Sequence, residues 1–596
     1  MATRVETPAS LAADVIRSSK PIQRSYGPLR VMSPFHLCCV LFVSSVLHAQ
    51  DRTAVQLEEL VRGYLWSEDV GERAAAESAL ESEASLVGVS RMQMHDLEEI
   101  LRAGRGGYEM PTAVDGRIAM QSLSVELPGG TQIPVLVSLP PQYSPNRAWP
   151  LMFAMHGGPP GRAAGIERSA ERMVRIWTEA ADQAGWIVAA PGMVTTVSGG
   201  GRTQDRLPYE IFHEEDARAV VDALRERFNI NPDRVVSTGI SLGSNFSIGY
   251  AAAHQDWLSA IVPVSTEGDS RELLLRNLTV PTYVLEGALD RNIRGVNGPR
   301  AMHQILAGFG YDITYREFGD RAHEGFQEHY SDVLSWLDSR ARDVYPREVV
   351  RVPHDAIMSV SRRVHWVETD TRQALVRARV SSPNRIDLTV RWARRLHVYL
   401  HDRLVDLDQP VQIFINGTEA YAADVPRSMA TALRQARALG DERRGYPAVL
   451  ELAVPQTDGA IAAGRELWQK LQPRREPGPL SFWEMYAQRA IEERFPELGF
   501  AGVETEVPGL GGERVGVQID SVQEGSPFSA AGLRAGDVLI EFGGEPIYRG
   551  REALDGMYRW LVRELRGTPR DYTLAVLRDG SRRELTVTLR LGPYKD

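Results

Sequence analysis

Cysteine is almost absent: the 596 residues contain two, the adjacent Cys38 and Cys39, both inside the apolar run Leu37 to Leu47. Once that run is removed, the chain has no disulfide framework, no cysteine-based metal site and no cysteine nucleophile. Lysine is nearly as scarce, with Lys20, Lys470 and Lys595 the only ones among 68 basic residues. The arginine bias reads as the coding habit of a GC-rich genome rather than as binding chemistry. Net positive charge is missing as well. A formal net charge of −10 gives no global attraction to phosphate and excludes nucleic acid or an anionic membrane as the principal partner.

Long hydrophobic runs are also lacking. Leu37 to Leu47 spans about eleven residues where a spanning helix needs ~20, so no membrane span is expected in the mature chain. With Lys20, Arg24 and Arg30 before it and Val46-Leu47-His48-Ala49 at its end, the run reads as a secretory signal peptide over residues 1–49, with Met32 as an alternative start. The protein is therefore expected to be exported, to the periplasm or outside the cell. An uncleaved anchor is the rival reading.

The remainder has a globular composition, 43% hydrophobic and 24% charged. At ~100–200 residues per domain the length divides into about three to five domains. Residues 51–110 repeat apolar side chains at three and four, the pattern of a small helical segment. Over 116–343 short apolar runs such as Leu151 to Met155, Val235 to Thr238 and Thr282 to Leu285 alternate with helical text such as Glu214 to Phe228, which predicts an α/β domain with a mostly parallel sheet. Residues 346–455 are strand-like, with a short helix expected around Ala430 to Leu439, and read as a β-rich accessory domain. Residues 456–495 read as a helical linker containing the Pro- and Gly-dense stretch Pro473 to Pro479. A last module occupies 496–592.

The motif that carries chemistry is Gly239-Ile240-Ser241-Leu242-Gly243, placed between the apolar strand Arg234 to Thr238 and a small-residue helix. A serine nucleophile on a sharp strand-to-helix turn needs small neighbours on both sides. Its partners should follow in the order acid, then histidine, each after a later strand. Asp290 meets the first condition, with Glu286 as the rival acid. His323, in the loop Gly319 to Phe326, meets the second, whereas His303 and His329 lie in helical text. In these roles His323 takes the Ser241 proton and Asp290 holds the imidazole tautomer. The oxyanion requires backbone N–H donors, expected from Leu242 and from Gly157 and Gly158 in the loop after Leu151 to Met155. His156 has no companions at metal-ligand spacing, so neither a metal nor any other cofactor is expected.

Pro140-Pro141-Gln142-Tyr143, His156-Gly157-Gly158, Asn231-Pro232-Asp233-Arg234-Val235 and Gly239 to Gly243 together resemble the α/β-hydrolases of the secreted esterase type, related to polyhydroxybutyrate depolymerases and feruloyl esterases. The resemblance runs from about Leu123 to Leu337. It implies hydrolysis of a small or polymeric carboxylic ester through an acyl-enzyme. His156-Gly157-Gly158-Pro159 also resembles prolyl oligopeptidase-type serine peptidases, but these usually follow the nucleophile with two glycines and a tyrosine, and here Gly243 is followed by Ser244-Asn245-Phe246. A peptidase, or a non-catalytic scaffold that keeps the hydrolase fold, are the alternatives.

The last module resembles bacterial PDZ domains. Glu497-Leu498-Gly499-Phe500 matches the carboxylate-binding loop and Gly525 to Leu539 the central signature. The resemblance implies that Leu498, Gly499 and Phe500 receive the C-terminus of a peptide or partner protein, which adds as a strand to the sheet edge. Two departures stand out: Phe528 replaces the usual alanine, and Val507 to Arg514 is an insertion.

Overall fold

The structure, a computed structural model, describes residues 56–82, 86–114, 117–128, 130–157, 163–192, 214–269, 271–291, 298–353, 361–473, 498–549 and 569–590. The leader read at 1–49, Gly158, and the linker beyond Pro473 lie outside them. The chain divides into a short first unit, Met1–Glu59, and a second, Leu60–Asp596, which holds every element discussed below.

Eight strands form the central sheet: β1 Gln121–Glu126, β2 Gln132–Ser138, β3 Trp149–Met155, β4 Ile187–Pro191, β5 Ile230–Ile240, β6 Ala260–Val264, β7 Thr282–Gly287 and β8 Ile313–Phe318. Their spatial order is β8-β7-β6-β5-β3-β4-β2-β1. The β1–β2 and β2–β4 pairs are antiparallel and every other pair is parallel. Every residue of β3, β4, β6 and β7 is buried, while β1 at the edge alternates between buried and exposed positions. Continuous burial is what a parallel sheet covered by helices on both faces requires. Because side chains alternate along a strand, Leu151, Phe153 and Met155 enter the core on one face and Met152 and Ala154 the core on the other. The connections after β3, β5, β6, β7 and β8 all emerge at the carboxyl edge, the usual ligand side of such a sheet.

The accessory region contains two sheets. One has five strands, Glu348–Arg351, Leu375–Ser382, Arg385–Arg391, Val411–Ile415 and Thr418–Ala423, and the other four, Arg363–Val364, Val367–Thr369, Arg395–Leu400 and Ala448–Ala453. Both contribute to one apolar core that includes the fully buried Trp366. The helix Met429–Leu439 is bounded by Ser428, whose side chain accepts the Thr431 N–H, and by left-handed Gly440.

Buried ion pairs join this region to the domain of the eight-stranded sheet. Arg342 binds Asp441 at 2.6 Å and Asp233 at 2.9 Å, and Arg444 meets Asp256 at 2.5 Å. Burial acts to raise the Asp441 carboxyl, but Arg342 outweighs it and holds that carboxyl well below the usual carboxylate range.

The helix Asp458–Leu471 lies flat on the accessory domain. A side chain at Gly464 would place its Cβ 2.8 Å from the Val390 carbonyl oxygen, so the helix is packed there and does not bridge through solvent. Beyond it, the sheet of Phe500–Thr505, Gly516–Val522, Val538–Phe542, Arg570–Arg578 and Ser581–Leu589 has Phe500–Thr505 at one edge. Both departures in this module have structural roles. Phe528 is fully buried between Phe500 and Phe542, with ring centroids 4.9 and 5.9 Å away. The insertion carries Glu513, which pairs with Arg391 at 2.7 Å and Arg465 at 3.0 Å on the accessory side. Glu545 adds an ion pair with Arg362, and Tyr548 joins the cluster of Trp392 and Leu467.

Candidate active site

Ser241 follows β5 and precedes the helix Leu242–Ala253. Its backbone is left-handed, with φ 57° and ψ −119°, a conformation that costs a residue with a side chain of order 1–3 kcal/mol and is typical of functional turns. The flanking glycines are required sterically. A Cβ at Gly239 would lie 2.2 Å from the Gly243 carbonyl carbon, and one at Gly243 would lie 2.3 Å from the Met155 carbonyl oxygen. These contacts press the elbow against the end of β3, so the loop after β3 reaches Ser241: a Cβ on Gly157 would sit 3.1 Å from that of Ser241. Leu242 is the first residue of the helix, where backbone N–H groups have no intrahelical acceptor. The second predicted donor segment is represented by Gly157, since Gly158 lies outside the described residues. His156 is buried, its Nδ1 lies 3.2 Å from the Gly157 carbonyl oxygen, and burial lowers its pKa.

The predicted acid and base come together. Asp290, 2% exposed, accepts a hydrogen bond from His323 Nδ1 at 2.7 Å. This bond raises the imidazole above its ordinary value, against the opposing effect of burial, and the charges of Asp290 and Glu267 act in the same direction. Nδ1 is thereby occupied and Nε2 is left as the proton acceptor. The two loops are laced to each other: Ala288 N–H donates to Phe318 O and Leu289 N–H to Arg321 O, both at 2.8 Å. His303 and His329 are used elsewhere, stacked on Tyr315 and Phe318.

Ser265 connects the histidine loop to the elbow. The Ser241 N–H donates to Val264 O at 3.0 Å, and the next residue, fully buried Ser265, holds the backbone of Glu324 from both sides. Its hydroxyl donates to Glu324 O at 2.6 Å and accepts from Glu324 N at 3.1 Å. Ser265 is itself left-handed, φ 46°. Asn245, on the elbow helix, accepts from the Thr266 hydroxyl at 2.8 Å and from Glu267 N at 3.3 Å, anchoring the adjacent loop. Sequence reasoning missed both residues. The Ser265 partners are 59 positions away, and Asn245 entered only as a departure from the peptidase pattern.

At the C-terminal module, Gly499 has φ 67°, and its carbonyl accepts the Gln523 N–H at 2.7 Å. Leu498 and Phe500 are half-buried against the module's core, Leu498 just before the edge strand Phe500–Thr505 and Phe500 at its first position.

Residues 518–556 match the PDZ domain family, so the C-terminal module is a PDZ domain. No curated protein sequence matches the chain. Among solved structures, a thermostable esterase is 21% identical, covering 37% of this chain and 63% of its own, with a TM-score of 0.30. An S-formylglutathione hydrolase from Staphylococcus aureus is 14% identical over 37% of this chain and 98% of its own, TM-score 0.28. An acylaminoacyl peptidase from Pyrococcus horikoshii is 11% identical over 38% of this chain and 42% of its own, TM-score 0.31. The chain thus spans less than two thirds of the first and third of these proteins. Among the described residues no helix is long and apolar enough to cross a membrane.

Proposed function

We propose that the chain is an exported serine hydrolase of the α/β-hydrolase class, cleaving carboxylic esters through Ser241, His323 and Asp290. The observation that carries this reading is the 2.7 Å Asp290–His323 bond at the same sheet edge as the strained Ser241 elbow. His323 Nε2 takes the hydroxyl proton as Ser241 Oγ attacks the ester carbonyl carbon. The N–H of Leu242 and the loop at Gly157 face the oxyanion of the tetrahedral intermediate. Collapse breaks the ester C–O bond, the imidazolium gives its proton to the departing alcohol, and the acyl group stays on Ser241. Water, deprotonated by His323, then releases the carboxylic acid and restores the serine.

In this reading the PDZ domain captures a peptide C-terminus along Phe500–Thr505, with Leu498, Gly499 and Phe500 at the carboxylate. Docking through Glu513 and Glu545 holds that edge in a constant position on the accessory domain. Labelling of the wild type by a fluorophosphonate, lost in Ser241→Ala, is the expected result. A folded wild-type protein that resists labelling overturns the reading. An ester and peptide substrate panel run on both proteins separates ester from amide cleavage, and N-terminal sequencing of exported protein tests removal of residues 1–49.

A further inference from the structure

Asp290 has a second carboxyl beside it. Four residues earlier, at the end of β7, Glu286 is fully buried and the triad chemistry leaves it unused. Its Oε2 accepts the Thr266 N–H at 3.0 Å. Its Oε1 receives no hydrogen bond from any described residue, yet the carboxyl lies within side-chain hydrogen-bonding reach of Asp290. Two ionised carboxylates cannot stand side by side out of solvent without severe repulsion, and an acceptor oxygen buried without a donor is costly in its own right. A single proton held between the two groups removes both difficulties, because an acid at Glu286 needs an acceptor and Asp290 is one.

The surroundings decide which group keeps the proton. Asp290 is fixed as the charged member by His323 Nδ1 at 2.7 Å. Glu286 faces Asp290 on its own strand segment, Glu317 and Tyr315 on β8, and the backbone of Thr266 after β6, with Glu267 beyond it near His323. Glu317 is held by Arg300 at 2.8 and 2.5 Å and by the Tyr315 hydroxyl at 2.8 Å, so that cation is already engaged. Burial first, and the charge of Asp290 second, push the Glu286 carboxyl up to about 9.

We propose that Glu286 is a positioning residue of the Ser241 site, donating a hydrogen bond from its acid form to the Asp290 carboxylate. That bond holds the carboxylate toward His323 and draws charge from it, so the imidazolium formed during attack keeps its Nδ1 proton. The proposal rests on the triad reading above. It gives the site a second titration: when Glu286 loses its proton the donor becomes a repelling anion, and activity falls on the alkaline side.

The test is the pH dependence of ester turnover and of Ser241 phosphonylation in the full-length wild type, Glu286→Gln and Glu286→Leu. The wild type is expected to lose rate as pH passes about 9. The glutamine amide keeps a donor for Asp290 and an acceptor for Thr266 but cannot ionise, so Glu286→Gln should stay within about threefold at neutral pH and lack the alkaline fall. Glu286→Leu should lose ~10²-fold in kcat with KM unchanged. A wild-type rate that is flat into the alkaline range, or the same alkaline fall in Glu286→Gln, overturns the role of Glu286 while leaving the triad standing. The glutamine arm decides even if the leucine variant fails to fold. Absence of labelling in the wild type at every pH overturns the triad reading, and the role of Glu286 with it.

Discussion

The elbow at the carboxyl edge of the sheet and the seam between the sheet domain and the accessory domain use the same polar residue types to opposite effect. At the elbow the hydrogen-bonded pair is Asp290 and His323, and the His323 side chain remains 41% exposed. The positions there are set by backbone contacts, by glycines and by the Ser265 and Asn245 side chains. At the seam, Arg342 and Asp441 are 3% and 2% exposed, and Arg444 and Asp256 are 2% and 5% exposed. Each charge there is met by an opposite one and by little water. A group that must gain and lose protons is held by its neighbours but left accessible. A group that must register two domains is locked in one charge state.

Ser241→Ala tests this contrast with the largest effect. Turnover is expected to fall by ~10⁴-fold or more, with the thermal midpoint unchanged, since the hydroxyl contributes chemistry rather than packing. Asp290→Asn should fall steeply as well. A residual rate for Ser241→Ala above about a thousandth of wild type would indicate a different nucleophile.

Asp441→Ala should do the reverse. It leaves a buried guanidinium short of its closest partner and should cost about 3–5 kcal/mol by denaturant titration, with kcat per folded molecule retained. Loss of kcat at unchanged stability would dissolve the distinction between site and seam.

Acid separates the two regions by their titrations. In the proposed mechanism His323 must be neutral, so activity should be lost as pH falls through its pKa, which the Asp290 bond places above the ordinary imidazole value. At the seam, burial lowers His365 from 6.5 to about 4, and His254 moves the same way. The unfolded chain then binds protons that the folded one refuses, so stability should decline from about pH 6.5 toward about 4, by at most ~3 kcal/mol for His365. Below that, Asp256 adds to the loss: burial acts to raise it, Arg444 prevails, and its pKa of about 2 puts its contribution at risk only in stronger acid. Stability that is flat from pH 7 to 4 would show that these histidines accept protons in the folded state.

The smallest effect on turnover should come from ending the chain at Pro473. The proposed catalytic residues lie between Gly157 and His323, so hydrolysis of a small ester should persist in the truncated protein. Some stability should be lost, because Trp392 and Leu467 would no longer be covered by Tyr548. In the full-length protein, Gly499→Trp should weaken capture of a C-terminal peptide, because a side chain at φ 67° is strained and would crowd the carboxylate loop. Unchanged affinity in a peptide-library assay would assign the PDZ domain a purely structural role.

How much of this was legible in the residues follows the range of the interactions. The elbow was readable because its geometry is decided within five consecutive residues, where Gly239 and Gly243 are the only types that fit against each other and against Met155. The strand-helix alternation of the sheet was readable from its apolar runs, and the PDZ signature from its glycine turns, because both are local patterns of burial and backbone sign.

Asp290 and Glu286 were separable by order and turn position only as candidate and rival. That Asp290 meets His323 while Glu286 takes the Thr266 N–H appears only when β6, β7 and β8 bring their loops together. The same is true of Ser265 and Glu324, of Arg342 and Asp441, and of Glu513 with Arg391, partners separated by 59, 99 and 122 positions. By itself the sequence determined which residue types could turn and cap, because local sterics act on neighbours along the chain. Only the tertiary structure decided which charge meets which, because a carboxyl's protonation and partner depend on what folding places within a few ångströms of it.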